Sequence, residues 1–277
     1  SFKATSADRK DNSGDLGLGY RNGSVGDDLI GYWRLDRDVS GSGGNIVDYS
    51  GNGNDGTTRN GVYTGSRGVL GSNGSEFRRG SEDIEVLGVG SEINSANAFT
   101  ISYWIKYNSF NSYKVAYGNR DNGFWTEPYR DGNRGNSIRI FDQTGTSHRL
   151  QSGEVLGSTG EWYYITYTWD GRYLKAYTNG SEAGQLDTGG VSVDLPSSHY
   201  IGSYNNGGNN VIDGTIDEFR LYNRSLNQTE IEDLYFNGRN SEFTGSYTAK
   251  DIDKNQETSW NKLEVNASIP SETSVNA

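Results

Sequence analysis

Apolar and polar residues alternate most cleanly along "FTISYWIKY". Phe99, Ile101, Tyr103, Ile105 and Tyr107 share one face there, and Thr100, Ser102, Trp104 and Lys106 the other. A repeat of two marks a half-buried β-strand. The same reading places strands at residues 29–35, 84–87, 114–117, 137–141, 163–169, 173–178, 199–201 and 216–222, with turn residues between them. One helix is expected, in "NQTEIEDLYFNG". Asn227 caps it, Glu230 stands three residues on, Ile231, Leu234 and Tyr235 form an apolar stripe, and Gly238 stops it. Its length suits a lid on the edge of a sandwich.

Composition points the same way. The 277 residues include 39 Gly, 19 Tyr, 6 Trp and only 3 Pro, with a hydrophobic share of 32%, so the chain is rich in turns and its core leans on aromatic rings. Eight Asn-Gly pairs, beginning at Asn22, Asn52, Asn60, Asn73, Asn122, Asn179, Asn206 and Asn237, supply residues that accept the positive φ of tight hairpins. Cys and Met are absent, so packing, ions or partners must supply the stability. The net charge of −11 and the scatter of basic residues argue against a nucleic-acid partner. No apolar run approaches the 18 or so residues of a membrane span.

Catalytic signals are thin. His148 and His199 lie in no catalytic motif, and the chain has no Gly-x-Ser-x-Gly elbow. Sugar-binding aromatics have a better candidate in "NGFWTEPYRDGN", which carries Phe124, Trp125 and Tyr129, together with Tyr204 in "GSYNNGGNN". The alternative is that these rings pack under their own loops. Asn-x-Ser/Thr sequons at Asn22, Asn73, Asn179, Asn223, Asn227 and Asn266 fit an extracellular glycoprotein. At Asn227 a glycan and a helix cap compete for one side chain.

Three blocks together resemble the laminin-G-like, or concanavalin A-like, jelly-roll domains. They are "LIGYWRLDRDVSGSGGNIVDYSGNGNDGT", "GEWYYITYTWDGRYLKAYTNG" and "GTIDEFRLYNRSLNQTEIEDLYFNG", and they extend over residues 28–238. The resemblance implies an all-β antiparallel sandwich of two sheets. It also implies a calcium site where the turn after the first strand meets the closing strand, with Asp48, Asn54, Asp55 and Asp217 as ligands. Calcium takes several hard oxygens, and glycines let carbonyls turn inward. The alternative is a structural loop of Asx-turns at Asp48 and Asn52. Glycosidases of this resemblance carry a Glu-x-Asp-x-x-Glu strand. "SEDIEV" and "TEIED" do not match it, so no enzyme is expected.

The domain is assigned to residues 28–240, with an N-terminal arm at 1–27 and a C-terminal β segment at 241–277. "WNKLEVNASI" alternates and is the candidate donor strand to a neighbouring copy, anchored by Trp260, Leu263, Val265 and Ile269. The expectation is therefore a non-enzymatic extracellular filament subunit that assembles with copies of itself, with surface glycans as further partners. The alternative is a carbohydrate-binding module of a larger secreted protein.

Overall fold

The computed structural model describes residues 28–36, 40–60, 62–69, 73–78, 82–110, 114–120, 124–127, 135–152, 156–204 and 210–239. The N-terminal arm and the C-terminal segment lie outside them. So do Asn22, Tyr129, Trp260, Leu263, Val265, Asn266 and Ile269.

The alternating stretches become strands in chain order. They are β1 (Leu29–Trp33), β2 (Ser40–Gly41), β3 (Asn45–Ile46), β4 (Gly56–Arg59), β5 (Val62–Arg67), β6 (Asn73–Phe77), β7 (Asp83–Leu87), β8 (Phe99–Tyr107) and β9 (Tyr117–Gly118). There follow β10 (Trp125–Glu127), β11 (Ser137–Phe141), β12 (Ser147–Gln151), β13 (Trp162–Trp169), β14 (Tyr173–Thr178), β15 (Ser181–Asp187), β16 (Ser198–Ile201) and β17 (Gly214–Tyr222). Helix α1 (Val89–Ala96) precedes β8, and α2 (Gln228–Arg239) follows β17.

The strands form two antiparallel sheets. One runs β15-β14-β13-β8-β17-β6-β5-β2 with β1 also on β17, and the other β12-β11-β10-β9-β16-β7-β4-β3. Aromatic rings fill the space between them. Tyr117 of one sheet packs on Phe219 of the other with centroids 4.7 Å apart, and Tyr103 stacks on Phe219 at 5.4 Å. Buried hydroxyls tie the layers together where a ring alone would leave polar atoms stranded. Tyr103 Oη lies 3.1 Å from Thr126 Oγ1, and the Tyr167 hydroxyl donates to the Ser137 carbonyl at 3.3 Å.

Helix α2 forms as its sequence pattern predicts. The Asn227 side-chain oxygen accepts from Glu230 N at 3.1 Å and Glu230 Oε2 accepts from Asn227 N at 2.9 Å, a reciprocal capping box. The helix ends at Arg239, one residue past the expected stop at Gly238. Its stripe covers the outer face of the larger sheet, where Ile231 and Leu234 join Trp104, Tyr164, Tyr177 and Tyr222 in a second buried cluster. For that reason β8 is buried on both faces instead of half-buried.

Several elements differ from the sequence-based expectation. Helix α1 was not expected, because eight residues carry only Val89 and Ile93 as an apolar pair. The short strands β2 to β6 and the polar edge strand β15 were also not expected, and each is paired with neighbours in its sheet. The Asn-Gly pairs also divide. Asn179 and Gly180 take φ of 51° and 82° in the hairpin between β14 and β15, whereas Asn73 lies within β6 and Asn237 within α2.

Candidate functional site

The outer face of the eight-stranded sheet carries a transverse row of residues. Strand pairing sets Arg149 beside Arg139, Arg139 beside Trp125, Trp125 beside Gly118, Gly118 beside Tyr200, and Tyr200 beside Glu85. Directly opposed residues on antiparallel strands point to the same side, so these side chains share one face. Gly118 is required in the row: a Cβ there would lie 2.3 Å from the Phe124 carbonyl oxygen.

Trp125 is the centre of this face. Its ring lies 5.4 Å from Tyr204 and 5.9 Å from Phe141, and all three are half-buried. The Arg139 guanidinium stands 5.1 Å from the Trp125 ring and 5.8 Å from Phe141, within cation–π range. The indole N–H donates to Glu127 Oε1 at 3.2 Å, and the Tyr204 hydroxyl accepts from Asn210 Nδ2 at 2.5 Å. The indole and phenol are thus each tied to a neighbouring side chain. Further along the row, Arg59 covers Tyr200 at 4.6 Å while binding Asp83 at 2.8 Å and Glu85 at 3.3 Å, which neutralises that end.

The expected aromatic set therefore divides. Trp125 and Tyr204 come together on one surface. Phe124 does not join them: it is wholly buried, stacked on Phe99 at 5.5 Å, because Phe124 and Thr126 turn inward where Trp125 turns outward. A stretch taken for a loop is in fact a short strand. Arg139 and Phe141 were missed, although the alternation of Ile138 and Ile140 with them in β11 carried the signal.

The expected calcium ligands are not gathered into one set. Asp48 Oδ1 accepts from Tyr32 N at 2.9 Å and Ser50 N at 2.8 Å, while Oδ2 accepts from Ser50 Oγ at 2.7 Å and Asn54 N at 3.0 Å. Both oxygens are engaged, Oδ1 in an Asx-turn with Ser50 N. Asp55 binds Asp48 N and Asn45 Nδ2, and Asn54 Nδ2 donates to the Ile30 carbonyl. Asp217 is elsewhere: its carboxyl accepts from Val69 N and Glu218 N at 2.9 Å each, at the bulge where β17 changes partner from β6 to β1. Burial, reinforced by the neighbouring Glu218 charge, pushes its pKa well above the ordinary carboxyl value. Among the described residues no three His, Asp or Glu side chains cluster as metal ligands. The residues as placed do not fit one calcium ion.

Glu218 turns aside with φ of 52° and accepts from the Tyr32 hydroxyl and from Arg220 Nη2, both at 2.5 Å. His199 is buried with Nδ1 2.6 Å from the Tyr117 hydroxyl, and burial pushes its pKa down to about 3 against a weaker pull from the Pro196 carbonyl. His148 Nε2 lies 2.9 Å from Asp142 Oδ2 in the β11–β12 hairpin. Of the sequons, Asn73 and Asn223 are half-buried, the Asn179 side-chain oxygen accepts from Tyr164 N, and that of Asn227 is engaged in the helix cap.

The sandwich and its open aromatic face define a class. Residues 80–232, more than half of the chain, match the concanavalin A-like lectin/glucanases superfamily, and the chain belongs to it. No curated protein matches the sequence significantly. Similar solved structures include the binding domain of Paraclostridial Mosquitocidal Protein 1, with TM-score 0.61 and 22% identity over 76% of this chain and 52% of that one. Domain 4 of AbnA, a GH43 extracellular arabinanase from Geobacillus stearothermophilus, solved with arabinotriose, has TM-score 0.57 and 20% identity over 75% of this chain and 98% of that one. The receptor binding domain of botulinum neurotoxin C/D mosaic serotype gives 0.61 and 20%, over 77% and 52%. This chain spans about half the length of the two toxin domains. At these identities the likeness establishes the fold. No described helix is long and apolar enough to cross a membrane.

Proposed function

We propose that this protein is a non-catalytic, extracellular glycan-binding module that works through the outer face of the eight-stranded sheet. The observation that carries the reading is the half-exposed Trp125, Tyr204 and Phe141 cluster, with ring planes held by side-chain hydrogen bonds on a rigid sheet. Aromatic faces of this kind stack on the C–H faces of sugar rings, and rigid strands keep the ordering cost of binding low. The arabinotriose complex of AbnA domain 4 supports the reading by analogy of fold. The burial of His199 in the core supports a non-catalytic role for that imidazole.

A glycan array with the full chain and its Trp125→Ala variant tests the proposal. Binding that falls tenfold or more in the variant supports it, and equal binding by both overturns it.

Self-assembly is a second reading, favoured by one feature of the sheet. β15 ends the larger sheet with no further strand beside it among the described residues, so its outer edge offers backbone groups to a donated strand. Electron microscopy of the full chain beside a chain ending at residue 240 separates the two. Filaments that vanish on truncation mean strand donation through Trp260, Leu263, Val265 and Ile269, and monomers from both leave the glycan-binding reading alone.

A further inference from the structure

We infer that the ligand of the Trp125 face is a neutral linear glycan whose successive sugar rings are turned relative to one another, not a flat ribbon. This rests on the glycan-binding reading above and adds the shape of the chain. The observation behind it is the placement of three rings. Phe141 belongs to β11, Trp125 to β10 and Tyr204 to the segment after β16, and β10 lies between the other two in the sheet. The Trp125 ring stands 5.9 Å from Phe141 and 5.4 Å from Tyr204. Each spacing is close to the length of one sugar residue in a polysaccharide, so the rings offer successive stacking positions to a chain that crosses the strands.

The tilt of the rings selects the kind of chain. The planes of Trp125 and Phe141 make an angle of 42°, and those of Trp125 and Tyr204 an angle of 44°. A sugar gains most from an aromatic ring when its C–H face lies parallel to the ring. In a β-1,4-linked glucan the residues alternate by a half turn and their mean planes stay nearly parallel, so a ribbon that lies flush on one of these rings meets the others at an angle. Linkages that turn each residue against the last, as in α-1,4- or β-1,3-linked glucans and 1,5-linked arabinan, bring a differently oriented face to each position.

Packing around the rings maintains the tilt. The Arg139 guanidinium lies against both Trp125, at 5.1 Å, and Phe141, at 5.8 Å, and the Arg120 guanidinium stands 5.9 Å from Tyr204. The indole is tied to Glu127 and the phenol to Asn210. With these neighbours in place all three rings keep part of their surface in solvent. Bringing the rings into one plane to suit a ribbon would disturb those contacts, whereas a turned chain meets the surface as it stands, with less reorganisation on binding. The net charge of −11 disfavours a polyanionic chain and so favours a neutral one.

The test is titration calorimetry of the full chain with maltotriose, laminaritriose, arabinotriose and cellotriose, followed by shorter and longer members of the best series. Wild type is compared with Trp125→Ala, Tyr204→Ala and Phe141→Leu, the last of which keeps apolar bulk and removes the ring. The expected result is that a turned trisaccharide binds about tenfold or more tighter than cellotriose, with affinity rising from mono- to trisaccharide and then levelling off as the linked stacking positions fill. Phe141→Leu is expected to weaken trisaccharide binding about fivefold while its melting temperature stays near that of wild type, an outcome that a purely structural ring would not give. Equal or tighter binding of cellotriose, an affinity that does not grow between mono- and trisaccharide, or full trisaccharide binding by both Phe141→Leu and Tyr204→Ala overturns the inference. The same holds if none of the turned trisaccharides binds while the array gives a signal that is lost in Trp125→Ala, and in that case the glycan-binding reading stands. Absence of every glycan signal on this panel and on the array, or binding that Trp125→Ala leaves intact, would sink both.

Discussion

Single residues in this protein are best understood by counting the partners of their polar atoms. Asp48 receives four hydrogen bonds, from the Tyr32 amide of β1 and from two amides and one hydroxyl of its own turn. Asp48→Ala strands those donors and is expected to cost on the order of 3 kcal/mol, read as a lower denaturant midpoint. Chelator is expected to leave the wild-type melting temperature unchanged, since hydrogen bonds already occupy both oxygens, and a drop on chelation would put an ion back on the turn. His199 offers a second test. Its folded pKa of about 3 lies below the ordinary value near 6.5, so the unfolded chain takes up a proton first as pH falls. Its contribution is therefore complete above pH 6.5 and is lost between about 6.5 and 3. His199→Phe is expected to flatten the pH dependence of unfolding free energy in that window by about 1.4 kcal/mol per pH unit. An unchanged slope would mean that the imidazole titrates normally.

At the scale of elements, α2 was legible in the sequence because its signals are local. The cap, the box and the stripe all lie within ten residues, and the structure realises each of them. Asn227→Ala is expected to lower stability by about 1 kcal/mol, read in thermal melts. Strands β8, β11 and β14 were equally legible, with bounds as expected, since each alternates over at least five residues. α1 and β15 were not. An eight-residue helix with one apolar pair and an edge strand reading "SEAGQLD" owe their form to the surfaces they meet. The three-residue strand β10 is the most instructive, since its shortness hid the alternation that sends Trp125 outward and Phe124 inward.

At the scale of the whole molecule, the two faces of the smaller sheet do different work. The inner face packs on the larger sheet, where Tyr117 meets Phe219, so Phe219→Ala, which removes the ring shared by Tyr103, Tyr117 and Trp33, is expected to cost about 3–5 kcal/mol. The outer face carries the proposed site, so Trp125→Ala is expected to cost about 1 kcal/mol or less while lowering the proposed glycan binding tenfold or more. Chemical denaturation beside a binding titration checks both. A Trp125 variant as unstable as the Phe219 variant would place the indole in the core and remove the argument for an open face.

The sequence by itself determined the class of fold, the longer strands, the capped helix and the family. These follow from periodicity and turn chemistry, which act over a few residues. Only the tertiary structure decided which residues share a surface. Trp125, Tyr204 and Arg149 are brought to one face by strand pairing and loop packing across dozens of residues, and Asp48 and Asp217 take their hydrogen bonds from different segments. Register and sheet order arise from nonlocal backbone hydrogen bonds, and those leave no local mark in the chain.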